Sequence, residues 1–198
     1  MTVSADTSPP RIALVAGALG SAADAATLGR ALATQFAQRG WDVALQRSPG
    51  APRAAADALI AEVAARGRRA VVLDADLARE ADAGGLVAAC CTALGRPACA
   101  VFVSACAGAD DAHTADGAAL AGALARNVTA ALNRATAALA LSLAPKVRVA
   151  ALVRGHAPQA DDIAAAACYL ASAPGVTGAT LTVDGGEHLV PPDAGPNE

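Results

Sequence analysis

The stretch from Arg11 to Arg39, RIALVAGALGSAADAATLGRALATQFAQR, decides the fold of this chain. An apolar run over Ile12–Ala16 reaches Gly17, a loop of small residues follows, and helical spacing of apolar residues begins near Thr27. This order predicts a strand, a turn and a helix. The N-terminus of such a helix attracts anions, and glycines let the backbone approach one closely. Taken alone, the stretch fits a phosphate-binding loop and an ordinary strand–helix turn about equally well.

Composition limits the classes of protein to which the chain can belong. Its 198 residues suit one domain, so we expect a single domain over 1–198 with loose ends at 1–10 and about 190–198. A formal net charge of −3 gives no basic footprint for nucleic acid. No apolar run is long enough to cross a membrane, and the first ten residues lack the pattern of a secretory signal. We therefore expect a cytoplasmic protein that binds neither nucleic acid nor membrane.

The cysteines and histidines do not predict a metal site. The five cysteines have no metal-ligand spacing, and the three histidines are scattered along the chain. Small, buried, apolar residues in a reducing compartment are the simpler interpretation of these cysteines. For one of them, which lies in a predicted loop after a strand, a reactive thiol remains an alternative. The cysteines are Cys90, Cys91, Cys99, Cys106 (the candidate reactive thiol) and Cys168.

Beyond Arg39 the chain alternates short apolar runs with helical patterns. The predicted strands are Trp41–Gln46, Arg69–Asp74, Cys99–Ser104, Val147–Val153 and Ala179–Val183. The predicted helices are 54–66, Glu80–Leu94, 116–144 and Asp161–Ala171, the last with Asp161 or Asp162 as its N-cap. The run Arg69–Asp74 is continuously apolar, which is typical of a strand buried on both faces.

The alternation predicts the fold class. Connections of helix length require parallel strands and place helices on both faces of the sheet. We therefore predict an α/β fold with a Rossmann-like, doubly wound parallel sheet of about six strands. In such folds ligands bind at the carboxyl ends of the strands, where the strand order reverses.

Three segments resemble a known family. The run DDIAAAACYLASAPGVTGATLTVDGG, Asp161–Gly186, is similar to the closing helix, turn and strand of the short-chain dehydrogenases/reductases, and within them of the pteridine-reductase-like branch. The segment Pro145–Val149 resembles the strand before the family's Pro-Gly loop. A further match is Ala75–Leu77, followed by LVAACCTALG at Leu86–Gly95. The resemblance implies a nicotinamide dinucleotide, NADP(H), in the cleft.

The resemblance also implies roles for individual residues. Gly17 and Gly29 match the first and last glycines of the family's phosphate loop, with Gly20 between them. Asp76 matches the acid that contacts the adenine amino group, and Leu77 lies beside it.

Two other residues bear on the preference for NADP(H). Arg47 and Ser48 stand where the NADP-preferring branch holds the 2′-phosphate, and an arginine there would offer phosphate a charge-assisted fork. A solvated surface arginine is the alternative for Arg47. Asn127, in NVTAAL, matches an asparagine in the helix beneath the family's active site.

The residues of hydride transfer are missing. The family uses a serine together with a tyrosine and a lysine four apart on one helix, which hold the ribose and pass a proton. The one tyrosine of this chain is Tyr169 and the one lysine is Lys146, and each fits a different element. The pattern therefore predicts impaired catalysis.

The missing part can be located in the sequence. The interval from Asn127 to Pro145 is too short for the strand and helix that carry the family's catalytic residues. Helix 116–144 looks like two family helices fused, so one central strand is absent, and Val147–Val153 is expected to pair directly with Cys99–Ser104. Ser142, on the fused helix, is expected to be a packed hydroxyl. We expect a homodimer through helix 116–144.

Two loops also depart from the family. The interval between Gly17 and Gly29 is longer, which indicates an insertion at 20–26 that lengthens or distorts the cradle, and Arg154 replaces the proline of the Pro-Gly turn. Three hypotheses follow. The first is a non-catalytic NADP(H)-binding pseudoenzyme or partner subunit. The second is an active NADPH-dependent reductase of a pteridine-like or other carbonyl or imine substrate that uses other residues. The third is a decayed scaffold without a ligand.

Overall fold

The computed structural model describes residues 11–105, 115–155 and 160–187, without the side chains of 105 and 115–128. Its strands are β1 Arg11–Leu19, β2 Trp41–Arg47, β3 Ala70–Asp74, β4 Cys99–Ala105, β5 Arg148–Arg154 and β6 Ala179–Val183. Its helices are α1 Ala22–Asp24, a π-helical turn Ala25–Gly29, α2 Arg30–Gln38, α3 Arg53–Ala64, α4 Glu80–Ala93, α5 Ala115–Leu143 and α6 Ala160–Ser172.

The six strands form one sheet in the order β3-β2-β1-β4-β5-β6, and every neighbouring pair is parallel. The predicted doubly wound fold is confirmed. The chain builds outward from β1 to β3 and then returns to the other side of β1 with β4. The strand order therefore reverses between β1 and β4, where parallel sheets of this kind open a crevice for ligands.

The predicted direct pairing of the fourth and fifth strands is confirmed. β4 and β5 pair over their whole length, from Cys99 opposite Arg148 to Ala105 opposite Arg154. Both strands are apolar and buried, so they can lie side by side without another strand between them. The sheet is continuous although the interval from Asn127 to Pro145 contains no further strand.

The core has two layers, one on each face of the sheet. The larger layer packs α2, α3 and α6 against the sheet. In it the rings of Phe36 and Trp41 meet edge to face, with their centroids 5.9 Å apart. The smaller layer contains Leu86 and Cys90 of α4, packed against Ile12 and Leu14. Because β1 contributes alternate residues to both layers, it is buried on both faces.

The structure differs from the prediction between Gly17 and Gly29. β1 continues to Leu19, which pairs with Arg47, and the helix begins at Ala22. The predicted helix start near Thr27 and the predicted loop at 20–26 are therefore wrong. Ser21 caps the helix, since its hydroxyl accepts the Asp24 N–H at 3.1 Å, and the alanines that follow are strong helix formers. The residues between Gly20 and Gly29 belong to the helix and its π-helical turn.

Two further predictions about local structure are wrong, one at β3 and one at the start of α6. β3 is an edge strand, and only Val72 of its five residues is buried, so it is not covered on both faces. Asp161 and Asp162 lie in the first turn of α6 and are not its N-cap, because the helix begins at Ala160.

The predicted long helix is confirmed as α5, with 29 residues. Its last turns are largely exposed, with Leu141 82% and Leu139 36% accessible. Ser142 is exposed and its hydroxyl donates to the Ala138 carbonyl at 3.0 Å, so the predicted packed hydroxyl is wrong. Among the helices that the structure describes, none is long and apolar enough to cross a membrane.

Candidate functional site

The candidate site lies at the carboxyl edge of the sheet, at the ends of β1, β2, β3 and β5. This edge brings together most of the residues that the sequence singles out. They are Gly17, Gly20, Arg47, Ser48, Asp76, Leu77 and Arg154.

Gly17 marks the closest approach of β1 to β4. Its φ is +84°, and a Cβ added there would lie 2.0 Å from the Val103 carbonyl oxygen. Only glycine fits this position without displacing the backbone of β4. The Gly17 N–H donates to Gln46 Oε1 at 2.9 Å, so this donor is used within the protein.

Gln46 is a structural centre that sequence reasoning missed. Its side chain is fully buried, and besides accepting from Gly17 it donates through Nε2 to the Ala75 carbonyl at 2.7 Å and to Ser48 Oγ at 3.3 Å. One amide therefore ties the ends of β1, β2 and β3 together. A polar residue at the end of an apolar strand was the only signal in the sequence.

The other two glycines occupy different environments. Gly29 is buried inside the π-helical turn, where a Cβ would lie 2.4 Å from Leu19 Cδ2 and 3.3 Å from Leu59 Cδ1. It allows the helix to pack closely on the sheet and does not lie at the carboxyl edge. Gly20 is exposed at the turn, with Asp24 Oδ2 3.4 Å from an added Cβ.

Arg47 belongs to an ion-pair cluster. Its Nε lies 2.7 Å from Asp74 Oδ1, its Nη1 donates to the Ala51 carbonyl, and only 17% of its side chain is exposed. Arg53, at the start of α3, reaches the other oxygen of Asp74 at 3.2 Å. The interpretation of Arg47 as a solvated surface arginine is wrong. Arg53 was missed, because its place beside Arg47 depends on the turn between them.

The charges in this cluster influence one another. The hydrogen bond from Arg47 holds the pKa of Asp74 below its ordinary value, with a smaller contribution from the charge of Arg53. The same hydrogen bond raises the pKa of Arg47. Two cations share the Asp74 carboxylate, and Arg53 also pairs with Asp57 at 3.2 Å, so positive and negative charges balance in this cluster at the end of β2.

Asp76 and Leu77 follow β3 and are both half-buried. Asp76 Oδ1 accepts the Ala78 N–H at 3.0 Å, and the Asp76 N–H donates to Asp82 Oδ2 at 3.2 Å. These bonds hold the loop after β3 in a fixed turn. Ser48 is fixed in the same way, since its N–H donates to the Leu19 carbonyl at 3.2 Å.

An ion pair joins the two sides of the edge. Arg154 Nη2 lies 3.1 Å from Asp24 Oδ1, and the side chains are 21% and 24% exposed. The other carboxylate oxygen of Asp24 accepts the Ser21 hydroxyl at 2.9 Å. This contact could not be read from the sequence, because its partners are 130 positions apart and lie in different crossovers.

The tyrosine and the lysine lie away from the site. Lys146 precedes the start of β5, so it lies at the amino edge of the sheet. Tyr169 is near the C-terminal end of α6, which returns to that same edge, and it is 63% exposed. Neither residue therefore lies at the carboxyl edge. Asn127 lies in α5, but its side chain is outside the described residues.

Three cysteines are inert core residues, as predicted. Burial raises the pKa of the Cys90, Cys99 and Cys168 thiols to about 11, so they stay protonated at neutral pH. Cys91 is exposed, so the prediction of a buried thiol is wrong there. Cys106 lies outside the described residues. In the described part of the chain, no group of three or more His, Cys, Asp or Glu side chains could hold a metal ion.

Comparisons with known proteins agree with this architecture. A family model described as a short chain dehydrogenase-like protein matches residues 123–183. No curated protein matches the chain.

Solved structures share the fold over most of the chain. The acetoin dehydrogenase of Enterobacter cloacae superposes with a TM-score of 0.67 at 20% identity, covering 96% of this chain and 100% of that one. A short-chain type dehydrogenase/reductase from Mycobacterium marinum gives 0.61 at 20% identity, covering 91% and 96%. FolM alternative dihydrofolate reductase 1 from Brucella canis, solved in complex with NADP, gives 0.59 at 20% identity, covering 91% and 94%. The chain has the fold of the short-chain dehydrogenases/reductases.

Proposed function

We propose that this chain is a short-chain dehydrogenase/reductase-like protein that binds NADP(H) but lacks the family's hydride-transfer residues, and acts as a pseudoenzyme or a partner subunit. The observation that carries the proposal is the position of Lys146 and Tyr169, the one lysine and the one tyrosine, away from the carboxyl edge. Bound NADPH supplies a hydride. Neither residue type remains at this edge to hold the ribose or to give a proton to the substrate oxygen.

The adenosine half of the site retains suitable groups. Arg47 and Arg53, which share Asp74, would take the 2′-phosphate with Ser48 beside them, since guanidinium groups offer phosphate charge-assisted hydrogen bonds. Asp76 and Leu77, fixed in the turn after β3, would take the adenine.

The glycines would serve the diphosphate in different ways. Gly17 and Gly20 would leave room for backbone to approach it at the turn after β1. Gly29 would act indirectly, by letting the helix pack close to β1, which is the role of the last glycine in dinucleotide-binding turns. These residues fit the adenosine end of NADP(H) better than its nicotinamide end.

The pteridine-reductase-like branch is proposed on the run Asp161–Gly186. The likeness to an alternative dihydrofolate reductase complexed with NADP supports both the cofactor and this branch. Asn127 is the one position that matches the family's catalytic centre, and we propose that it is a remnant of that centre.

Calorimetric titration of NADPH and NADH tests the cofactor. We expect NADPH to bind more tightly, and Arg47→Ala to weaken NADPH binding about tenfold or more while changing NADH binding little, because a hydrogen bond to a charged group is worth about 1.5–3 kcal/mol. Arg66→Ala is the control, since Arg66 is an exposed arginine beyond the C-terminal end of α3, near the opposite edge. Equal losses for both cofactors, or no binding by the unmodified protein, would reject the cofactor.

We also propose a homodimer through α5. The exposed Leu139 and Leu141 near its C-terminal end support this proposal, because apolar side chains on a long helix gain by burial against a second copy. Light scattering is expected to give the mass of a dimer, and Leu141→Glu is expected to lower the dimer fraction. A monomer at working concentration would contradict the proposal.

A further inference from the structure

The pair formed by Arg154 and Asp24 spans the point where the strand order reverses. Arg154 ends β5, Asp24 belongs to the helix that follows β1, and β4 lies between these two strands. A contact of 3.1 Å therefore connects both sides of the crevice in which parallel sheets of this type bind their ligands. Both side chains are about three-quarters covered, so the pair is less screened by water than an ordinary surface pair.

Both oxygens of the Asp24 carboxylate are in use. Oδ1 pairs with Arg154, and Oδ2 accepts the Ser21 hydroxyl at 2.9 Å. The Ser21 hydroxyl in turn accepts the Asp24 N–H at 3.1 Å, which closes the N-terminal cap. Asp24 is thus held in the first turn of the helix, where the helix dipole favours a negative charge.

The added helical residues bring this carboxylate to the edge. Gly29 is buried against Leu19 and Leu59, and the π-helical turn and α1 precede it without interruption. The helix therefore starts at Ala22, and Asp24 stands at the end of the helix where a diphosphate would meet the N-terminal N–H groups. The protein supplies its own anion at this position.

We infer that Asp24 is a built-in competitor for the diphosphate of the dinucleotide, and that binding requires Arg154 to exchange the Asp24 carboxylate for a phosphate oxygen. This inference rests on the proposed function and adds a regulating contact to the same site. The exchange creates no new charge on the protein, but it leaves Asp24 beside the bound anion. The affinity is therefore lower than the open site would give, because only the fraction of molecules with Arg154 released can bind.

Two acidic side chains lie beside the residue that follows Arg154. Asp184 and Glu187 lie against Gly155, the next residue, where an added Cβ would come within 2.8 Å of Asp184 Cβ and 2.6 Å of Glu187 Oε2. These acidic neighbours disfavour an anion at the end of β5 unless the Arg154 guanidinium turns toward it.

Titration of NADPH into four full-length proteins tests the inference: the unmodified chain, Asp24→Asn, Arg154→Met and the double variant. Asparagine keeps the size of Asp24 and removes its charge. Asp24→Asn is expected to bind NADPH about tenfold more tightly or better, a difference of about 1.4 kcal/mol. Arg154→Met is expected to bind more weakly than the unmodified chain, and to cancel the gain in the double variant. Inorganic pyrophosphate, titrated in parallel, is expected to follow the same order.

The control is Glu62→Gln. It removes the acid of the Arg30–Glu62 pair, which has the same 3.1 Å separation but joins α2 to α3 outside the carboxyl edge. Its affinity for NADPH is expected to equal that of the unmodified chain. Thermal unfolding of each variant checks the fold, and Asp24→Ser, which also removes the charge, replaces Asp24→Asn if that variant does not fold.

The outcomes separate the inference from the proposed function. If the unmodified chain binds NADPH and Asp24→Asn binds it no more tightly, the inference is wrong and the proposed function stands. If Asp24→Asn gains affinity for pyrophosphate while no variant binds NADPH, the competitor role of Asp24 stands and the proposed cofactor is wrong. If no variant binds either probe, both are wrong.

Discussion

The two halves of the carboxyl edge differ in the polar groups that they present. On the half formed by β1, β2 and β3, polar side chains bond to one another and to the backbone, with Gln46 bonded at three strand ends and Arg47 paired with Asp74. On the half formed by β4 and β5, the strands pair directly, and the one lysine, Lys146, lies at the opposite edge. We propose that groups on the first three strands recognise the nucleotide. The residues that the short-chain dehydrogenases/reductases use for hydride transfer belong to the segment between β4 and β5, so their loss would leave the sheet and the proposed nucleotide groups in place.

In the half formed by β1, β2 and β3, the largest loss of stability is expected for Gly17→Ala. The new Cβ would meet the Val103 carbonyl oxygen at 2.0 Å, at a positive φ, so we expect the free energy of unfolding to fall by about 3 kcal/mol or more. Urea unfolding measures it. Gly50→Ala is the matched control, because Gly50 has the same φ of +84° with nothing within 4 Å of an added Cβ, and it is expected to lose only about 1–2 kcal/mol. Equal losses would show that the contact with β4 is unimportant.

The sequence predicted this fold because the crossovers are periodic, and it predicted the β4–β5 pairing because the segment after Asn127 is short. It missed the helix start, although Ser21 is a good capping residue and the alanines after it are strong helix formers. The burial of β3 was overestimated, because a single apolar run does not tell an edge strand from a central one.

The contacts at the candidate site were harder to predict. The bond between Gly17 and Gln46 joins residues 29 positions apart, and the pair of Arg154 and Asp24 joins residues 130 apart. No local pattern specifies such partners. Residue types at strand ends could be read from the sequence, whereas their bonds depend on the three-dimensional arrangement of the crossovers.

A second test concerns the hydrogen bonds of Gln46. Gln46→Leu removes the partners of the Gly17 N–H and the Ala75 carbonyl inside the protein, and each buried group left without a partner costs about 1–3 kcal/mol. We expect the unfolding free energy to fall by about 2 kcal/mol or more, measured by urea. Gln38→Leu, on the exposed end of α2, should change it by less than about 0.5 kcal/mol. If Gln46→Leu lowers the unfolding free energy no more than Gln38→Leu does, Gln46 does not stabilise the protein by joining the strand ends.

The smallest expected effect concerns Asp74. Because its pKa is lowered in the folded protein, its contribution to stability is present above the unfolded pKa of about 3.9 and is lost as the pH falls through the lower folded value. Asp74→Asn should therefore lower stability at pH 7 by less than about 1 kcal/mol, since the carboxylate is half exposed, and the difference from the unmodified chain should shrink below pH 4. Thermal unfolding between pH 3 and pH 7 measures this. A difference independent of pH would exclude the ion pair as its source.

The central claim is that the protein binds NADP(H) but does not transfer hydride. Its most direct test is the oxidation of NADPH, followed by absorbance, by highly purified protein at a concentration of NADPH that saturates it in calorimetry. Dihydropteridine, quinone and ketone substrates are offered in turn. The account predicts saturable binding of NADPH and a rate of oxidation equal to the buffer blank for every substrate. Turnover that stays with the protein through successive purification steps would contradict it.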